Sequence, residues 1–263
     1  MSFRPESRRF IPSKKNAPGF SDAALRARTA DAFQSGASLY DGVRPSYPSA
    51  VVGLIDSAGT VIDVGAGTGK LSTDLLGADR TVFAVDPSFD MLTVLKQRHP
   101  EVFTWRATAE ATGVKDNSVD AYVSAQTWHW VDTRAASAEA DRVVVPGGKL
   151  MLCWNTLDVS HPWVLRYSRI SHSGDVHREG FYPEVHPPWI LAEELRLRWY
   201  QEATITDLIA LTKTRSYWLR ASETTRSKVE SNLKWYLYER LGFEDDDVIP
   251  LPYRTDAFLF ERV

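Results

Sequence analysis

Residues 61–70, VIDVGAGTGK, decide the fold. Val61, Ile62 and Val64 form an apolar run of strand length, and it ends in glycines at 65, 67 and 69. A second run, TVFAVDP (81–87), ends in an acid, Asp86, ~20 residues beyond the first glycine. A glycine turn after a buried strand lets backbone press against a ligand. An acid at the tip of the next strand suits ribose hydroxyls. Together they predict an adenosyl group at the edge of a parallel sheet.

Outward from this stretch the pattern alternates. Strands are expected at 60–64, 81–85, 101–106, 119–124 and 149–154, the last after a break at Pro146-Gly147-Gly148. Helices are expected at 69–77, 88–98 (with Ser88 as cap) and 132–144. Such alternation predicts a parallel sheet with helices on both faces. Before it, 21–35 reads as a helix, Pro45 and Pro48 make an extended turn, and a helix runs over 49–57. After it, 161–172 and 206–220 read as helices, 173–190 as loop and 195–201 as a strand. An amphipathic helix over 224–242 ends at Gly242, and 253–263 alternates like a terminal strand. The division expected is an arm and helix over 1–35, a ligand-binding core over 36–155, and a cap over 156–263 that includes the last two strands. The fold class is α/β: a Rossmann-like, doubly wound, seven-stranded, mostly parallel sheet with a helical cap over its ligand-binding edge.

Three nucleotide loops compete for the glycines. A P-loop needs G-x-x-x-x-G-K-[ST], but Val64 holds the first glycine position and Leu71 follows Lys70. A dinucleotide loop needs G-x-G-x-x-G, but Lys70 stands where the third glycine belongs. The adenosylmethionine loop, [DE]-x-G-x-G-x-G, is matched in full by Asp63 through Gly69. Its ligand carries an ammonium, for which Asp63 supplies a nearby negative charge.

The chain resembles class I S-adenosylmethionine-dependent methyltransferases of the type 11 kind. The likeness rests on this loop with YDGVRPSYP (40–48), AVDPSFDML (84–92), TAEA (108–111), AQTWHWVD (125–132) and VVPGGKL (144–150). The pairing of R-P-x-Y-P with H-W-x-D is similar to the small-molecule subgroup that includes trans-aconitate methyltransferases. The resemblance implies S-adenosyl-L-methionine as cofactor, with Gly65, Gly67 and Gly69 along its methionine portion and Asp63 toward its amino group. Asp86 would take the ribose hydroxyls. Met91 would lie on the adenine face, unless it is helix core. Ala109 and Glu110 would meet the adenine edge, although Thr112-Gly113 replaces the family's usual Leu-Pro there. Gln126 would face the reactive end.

Methyl transfer needs alignment and water exclusion, because the electrophile arrives activated. A carboxylate acceptor needs no base, whereas a hydroxyl or amine does. His129 is the candidate catalytic base or substrate binder; its alternative is a loop anchor. Tyr40, Arg44, Tyr47, Trp128 and Trp130 are candidate substrate residues. Arg44 would hold a carboxylate through its fork or pin the N-terminal segment, and at least one of the two tryptophans would be only wall.

A net charge of −3 gives no general bias toward nucleic acid or membrane. Arg4, Arg8, Arg9, Lys14 and Lys15 form a basic arm, read as solvated terminus. The single cysteine, Cys153, rules out an internal disulfide and reads as core. His161, His172, His177 and His186 lack a metal-site spacing, so no metal is expected. With no apolar leader and no membrane-length run, the expected place is the cytoplasm. The function expected is methyl transfer to a small molecule, possible acceptors including a carboxylic acid. The alternatives are an RNA or DNA methyltransferase and a non-catalytic adenosyl-binding regulator.

Overall fold

A computed structural model describes residues 37–77, 79–173 and 177–262. The helix expected over 21–35 and the basic arm lie outside the described residues. In chain order, α1 (Ala37–Val43) and α2 (Ser49–Gly53) precede β1 (Thr60–Val64), α3 (Lys70–Leu75), β2 (Thr81–Val85), α4 (Phe89–Arg98) and β3 (Phe103–Trp105). Then come β4 (Val119–Ala125), a 3-10 turn (Trp128–Trp130), α5 (Thr133–Val143), β5 (Val144–Leu157) and α6 (Pro162–Ile170). The chain closes with β6 (Trp189–Thr204), α7 (Ile205–Lys213), α8 (Ser216–Arg220), α9 (Glu223–Lys234), a π-helical turn (Trp235–Arg240) and β7 (Val248–Arg262).

The seven strands make one sheet in the order β3-β2-β1-β4-β5-β7-β6. All pairs are parallel except those of β7, which runs against both β5 and β6. The expected doubly wound, mostly parallel sheet is therefore present. One face (Val61, Val123, Met151, Cys153, Ala257) packs on Leu71 and Leu75 of α3 and Leu95 of α4. The other face (Ile62, Tyr122, Leu150, Leu152, Phe258) packs on Ala136, Ala140 and Val143 of α5. Both faces being covered explains why β1 carries Val61, Ile62 and Val64 on both sides rather than alternating apolar with polar.

Strand length sets the position of the cap. β1 and β4 have 5 and 7 residues, whereas β5, β6 and β7 have 14, 16 and 15. The long strands overhang the edge where β1 and β4 stop. Leu157, Leu251 and Tyr253 on the overhang share a core with Val164 of α6, Leu208 and Leu211 of α7, and Leu233 of α9.

Several local readings are corrected. LYDGV, to which no element was assigned, is helical, because Asp41 is buried and pairs with Arg98 and, at 3.4 Å, with Lys70. Those tertiary contacts override Gly42. Pro146-Gly147-Gly148 is a bulge inside β5, not a break before it. Gly148 fits there because a Cβ would stand 2.5 Å from the Asp120 carbonyl. The helix expected over 206–220 is two helices, since Thr214 turns its hydroxyl onto the Leu211 carbonyl at 2.7 Å and ends α7. The strand expected at 195–201 extends over Trp189–Thr204 because it pairs with β7 along its length, with one irregularity at Ala192. The helix over 224–242 changes to π geometry from Trp235 before Gly242, at φ +74°, ends it.

Candidate functional site

The crevice opens where β1, β2 and β4 end. Gly65, Gly67 and Gly69 have φ of +69°, +57° and +85°, a region that non-glycine residues pay to enter. Their surroundings differ. A Cβ on Gly65 would meet Thr127 at 2.2 Å, and one on Gly69 would meet Leu95 at 2.2 Å. A Cβ on Gly67 would meet nothing within 4 Å. Two glycines thus seat the loop on the protein, and the middle one faces open space.

Two carboxyls hold this loop. Asp86 accepts the Gly67 amide at 3.0 Å and the Ser88 amide at 2.7 Å. Burial raises its pKa, and those two bonds oppose the rise. Asp63 is 1% exposed, and its Oδ2 accepts the Ser72 hydroxyl at 2.6 Å. Its Oδ1 has no hydrogen-bond partner among the described residues. Burial, helped by the charge of Asp86, pushes Asp63 up to about 7 against the Ser72 bond. A buried carboxyl with one unmatched oxygen is a receptor for a cation.

On the β4 side, Gln126 sits at φ +55°, a strained conformation for a residue with a side chain. Its amide donates to the Asn155 carbonyl, and its Oε1 is buried with no hydrogen-bond partner among the described residues. Asn155, which the motif reading missed, is the hub here. It donates to the Ser46 carbonyl at 3.0 Å and accepts the Thr255 hydroxyl at 2.6 Å. One side chain therefore joins the segment after α1 to β5 and β7.

The Tyr40, Arg44 and Tyr47 cluster closes the front. The Arg44 guanidinium lies 5.0 Å from the Tyr40 ring centre, and its Nε donates to Thr214 Oγ1 at 3.1 Å. Burial raises the Tyr47 phenol well above its usual range; the charges of Cys153, Tyr40 and Asp63 add to this, and Arg44 opposes it. The Tyr47 amide donates to Asp74 at 2.8 Å. Arg44 thus ties the N-terminal segment to the end of α7.

The 3-10 turn after β4 separates its three aromatics. Trp128 is 2% exposed and donates to the Glu184 carbonyl at 2.8 Å, so its ring belongs to the core beside Tyr122. Trp130 lies half-buried against the His129 ring, 5.2 Å between centres. His129 Nδ1 accepts the Trp154 indole N–H at 3.3 Å, and His177 lies 5.6 Å away ring to ring. An indole N–H only donates, so in neutral His129 the proton sits on Nε2.

The remaining expected positions are more tightly bound into the frame. Met91 is 4% exposed on the first turn of α4, and Ala109 is 5% exposed with its carbonyl holding the Tyr122 hydroxyl at 3.0 Å. Glu110 accepts the Asp132 amide at 2.8 Å, at the start of α5. The Thr112-Gly113 departure has its own reason: the Thr112 hydroxyl and amide both bind Glu139, at 2.6 and 2.8 Å. Among the described residues, no three His, Cys, Asp or Glu side chains gather as a metal site would require, and no helix is long and apolar enough to cross a membrane.

A methyltransferase of Mycobacterium bovis, itself uncharacterised, is 37% identical over 227 residues, covering 85% of this chain and 92% of its own. The chain belongs to the methyltransferase family. A Methyltransferase domain family matches residues 62–152, the span from β1 through most of β5. A methyltransferase-like protein of Schizosaccharomyces pombe is 30% identical over 251 residues, covering 88% of this methyltransferase and 95% of its own length. Among solved structures, a type II methyltransferase assigned as putative, from Anaeromyxobacter dehalogenans, superposes with a TM-score of 0.62. It is 24% identical and covers 83% of this methyltransferase and 97% of its own chain, which establishes the shared fold.

Proposed function

We propose that this methyltransferase uses S-adenosylmethionine and methylates a small molecule bearing a carboxylate. Two features of the crevice fit the cofactor. Asp63 Oδ1 is a buried acceptor without a hydrogen-bond partner among the described residues, suited to an ammonium, and the loop at Gly67 has room for a ligand against its backbone. Asp63 would hold the amino group, Gly67 would lie along the methionine portion, and Asp86 would take the ribose hydroxyls. The cofactor supplies a sulfonium methyl, an electrophile that needs no further activation.

The acceptor class rests on one observation, the Trp154 to His129 hydrogen bond. With Nδ1 accepting from the indole, the His129 lone pair is occupied, and Nε2 is a donor. A donor positions an oxygen; it does not remove a proton. An acceptor already ionised at neutral pH requires no base, and a carboxylate is such a group. Arg44 would orient the same acceptor, since a guanidinium fork matches a carboxylate. Tyr40, Tyr47 and Trp130 would wall the acceptor off from water.

The direct experiment incubates the full chain with methyl-labelled S-adenosylmethionine and a panel of small carboxylic acids, alcohols and amines. Label in base-labile ester products is the expected result. Label confined to ether or amine products would overturn the carboxylate assignment while leaving the cofactor assignment standing.

A further inference from the structure

A second concavity opens on the cap, lined by none of the crevice residues. Its walls are one stripe of α6, carrying Arg166 and Arg169, and one stripe of α9, carrying Lys228. Ile170 and Val229 supply apolar surface. At one end Tyr217 stacks on His172, ring centres 3.9 Å apart. The volume is about 390 Å³, within the range of small-molecule sites.

Its charge is one-sided. Among the described residues Arg166, Arg169 and Lys228 are exposed and form no hydrogen bond or ion pair, and no acid lines the groove. Neither α6 nor α8 contains an acid. Glu230 on α9 is already engaged by Lys213 at 3.5 Å and Lys234 at 3.1 Å. Arg166 and Arg169 stand three apart on one helix face, a like-charge spacing that disfavours the helix unless an anion sits between them. In a chain of net charge −3, this concentration of cations is local. Arginine forks match phosphate oxygens in pairs, and a lysine adds a point charge.

We infer that this groove is a second binding site, for a small phosphorylated molecule. Its phosphate is held by Arg166, Arg169 and Lys228, and its apolar body lies along Ile170, Val229 and the Tyr217 ring. The site is independent of the methyl-transfer assignment.

Calorimetric titration of the full chain, with S-adenosylhomocysteine present to fill the crevice, tests it. The probes are phenyl phosphate, inorganic phosphate and phenol. Phenyl phosphate binds at one per chain, inorganic phosphate more weakly and phenol not at all, and added salt weakens the binding. The Arg166→Ala/Arg169→Ala double variant and Lys228→Ala each lose at least about tenfold in phenyl phosphate affinity. Their circular dichroism and S-adenosylhomocysteine affinity stay unchanged, because the three side chains are exposed and unpaired. Undiminished affinity in the double variant overturns the proposal, as does phenol binding as well as its phosphate. So does groove-dependent binding of a short RNA without binding of phenyl phosphate, which would mark a nucleic-acid surface instead.

Discussion

Asp86 Oδ2 accepts the backbone N–H of Gly67 at 3.0 Å, so the acid at the tip of β2 and the loop after β1 are one unit. Asp86→Ala removes the anchor of the loop together with the proposed ribose acceptor. S-adenosylmethionine affinity should fall by about a hundredfold, in line with losing a charge-assisted pair. Asp86→Glu keeps the charge but displaces the loop, and should fall between. Calorimetry on both variants decides: unchanged affinity in Asp86→Ala removes the ribose from this position.

The glycines separate folding from binding. Gly65→Ala drives a methyl group into Thr127 and keeps a positive φ, so it should cost roughly 2–4 kcal/mol of stability. Gly67→Ala meets only the φ penalty, roughly 1 kcal/mol. It should nonetheless weaken S-adenosylmethionine at least tenfold, because its methyl group points into the crevice. Thermal melts with parallel titrations resolve the two. Equal binding by Gly67→Ala and the parent would place the ligand elsewhere.

Asp63 makes the ligand-free protein pH-sensitive. A carboxyl that titrates higher in the native than in the unfolded chain contributes its stability fully below the unfolded value and loses it as pH rises through the native one. For Asp63 that window runs from about 4 to about 7. Asp63→Asn should remove this slope, melting above the parent near pH 8 and close to it near pH 5. An ammonium meeting Oδ1 favours the ionised form, so binding near pH 6.5 should release a proton in the parent and none in the variant. Calorimetry in two buffers of different ionisation heat measures this. A parent that releases no proton contradicts the pairing.

In the proposed reading His129 donates rather than abstracts. His129→Gln keeps a donor at the place of Nε2 and should retain most activity, whereas His129→Phe should lose about a hundredfold in kcat/KM. The parent pH–rate profile should show no rising limb near the usual imidazole value. Such a limb, abolished in His129→Gln, would restore the histidine as a base.

Arg44 has one contact in the structure and one proposed contact. Thr214→Val removes the hydroxyl that Arg44 Nε donates to, while keeping the guanidinium. Arg44→Lys keeps the charge and removes the fork. Arg44→Lys should raise the acceptor KM about tenfold with cofactor affinity unchanged, and Thr214→Val should change it only a few-fold. Equal losses in both would make Arg44 a clamp alone.

Much of this was readable from residues, and the reasons are local. β1, β2 and the Ser88 cap of α4 follow from short-range chemistry, and all three lie where they were expected. The overhang of β5, β6 and β7 was not readable, because their pairing joins residues far apart in the chain, Leu157 with Tyr253 and Thr204 with Val248 among them. Asn155 and Thr127 escaped for the same reason. An asparagine inside an apolar strand signals little until Ser46 and Thr255 are brought beside it. Trp128 had a site motif around it, yet its indole is spent on Glu184, a partner no local pattern reveals.

The overhanging strands leave the chain without a hinge between floor and roof. β5, β6 and β7 each cross from the nucleotide side to the lid as continuous ladder, so the lid cannot swing without breaking paired backbone. Under the proposed function, freedom to admit and release the acceptor would then fall to the strap carrying Tyr40 through Pro48. Among the described residues its polar stitches include Asp41 to Lys70 and Arg98, Arg44 to Thr214, Ser46 to Asn155 and Tyr47 to Asp74. In this architecture the door is a ribbon rather than a domain.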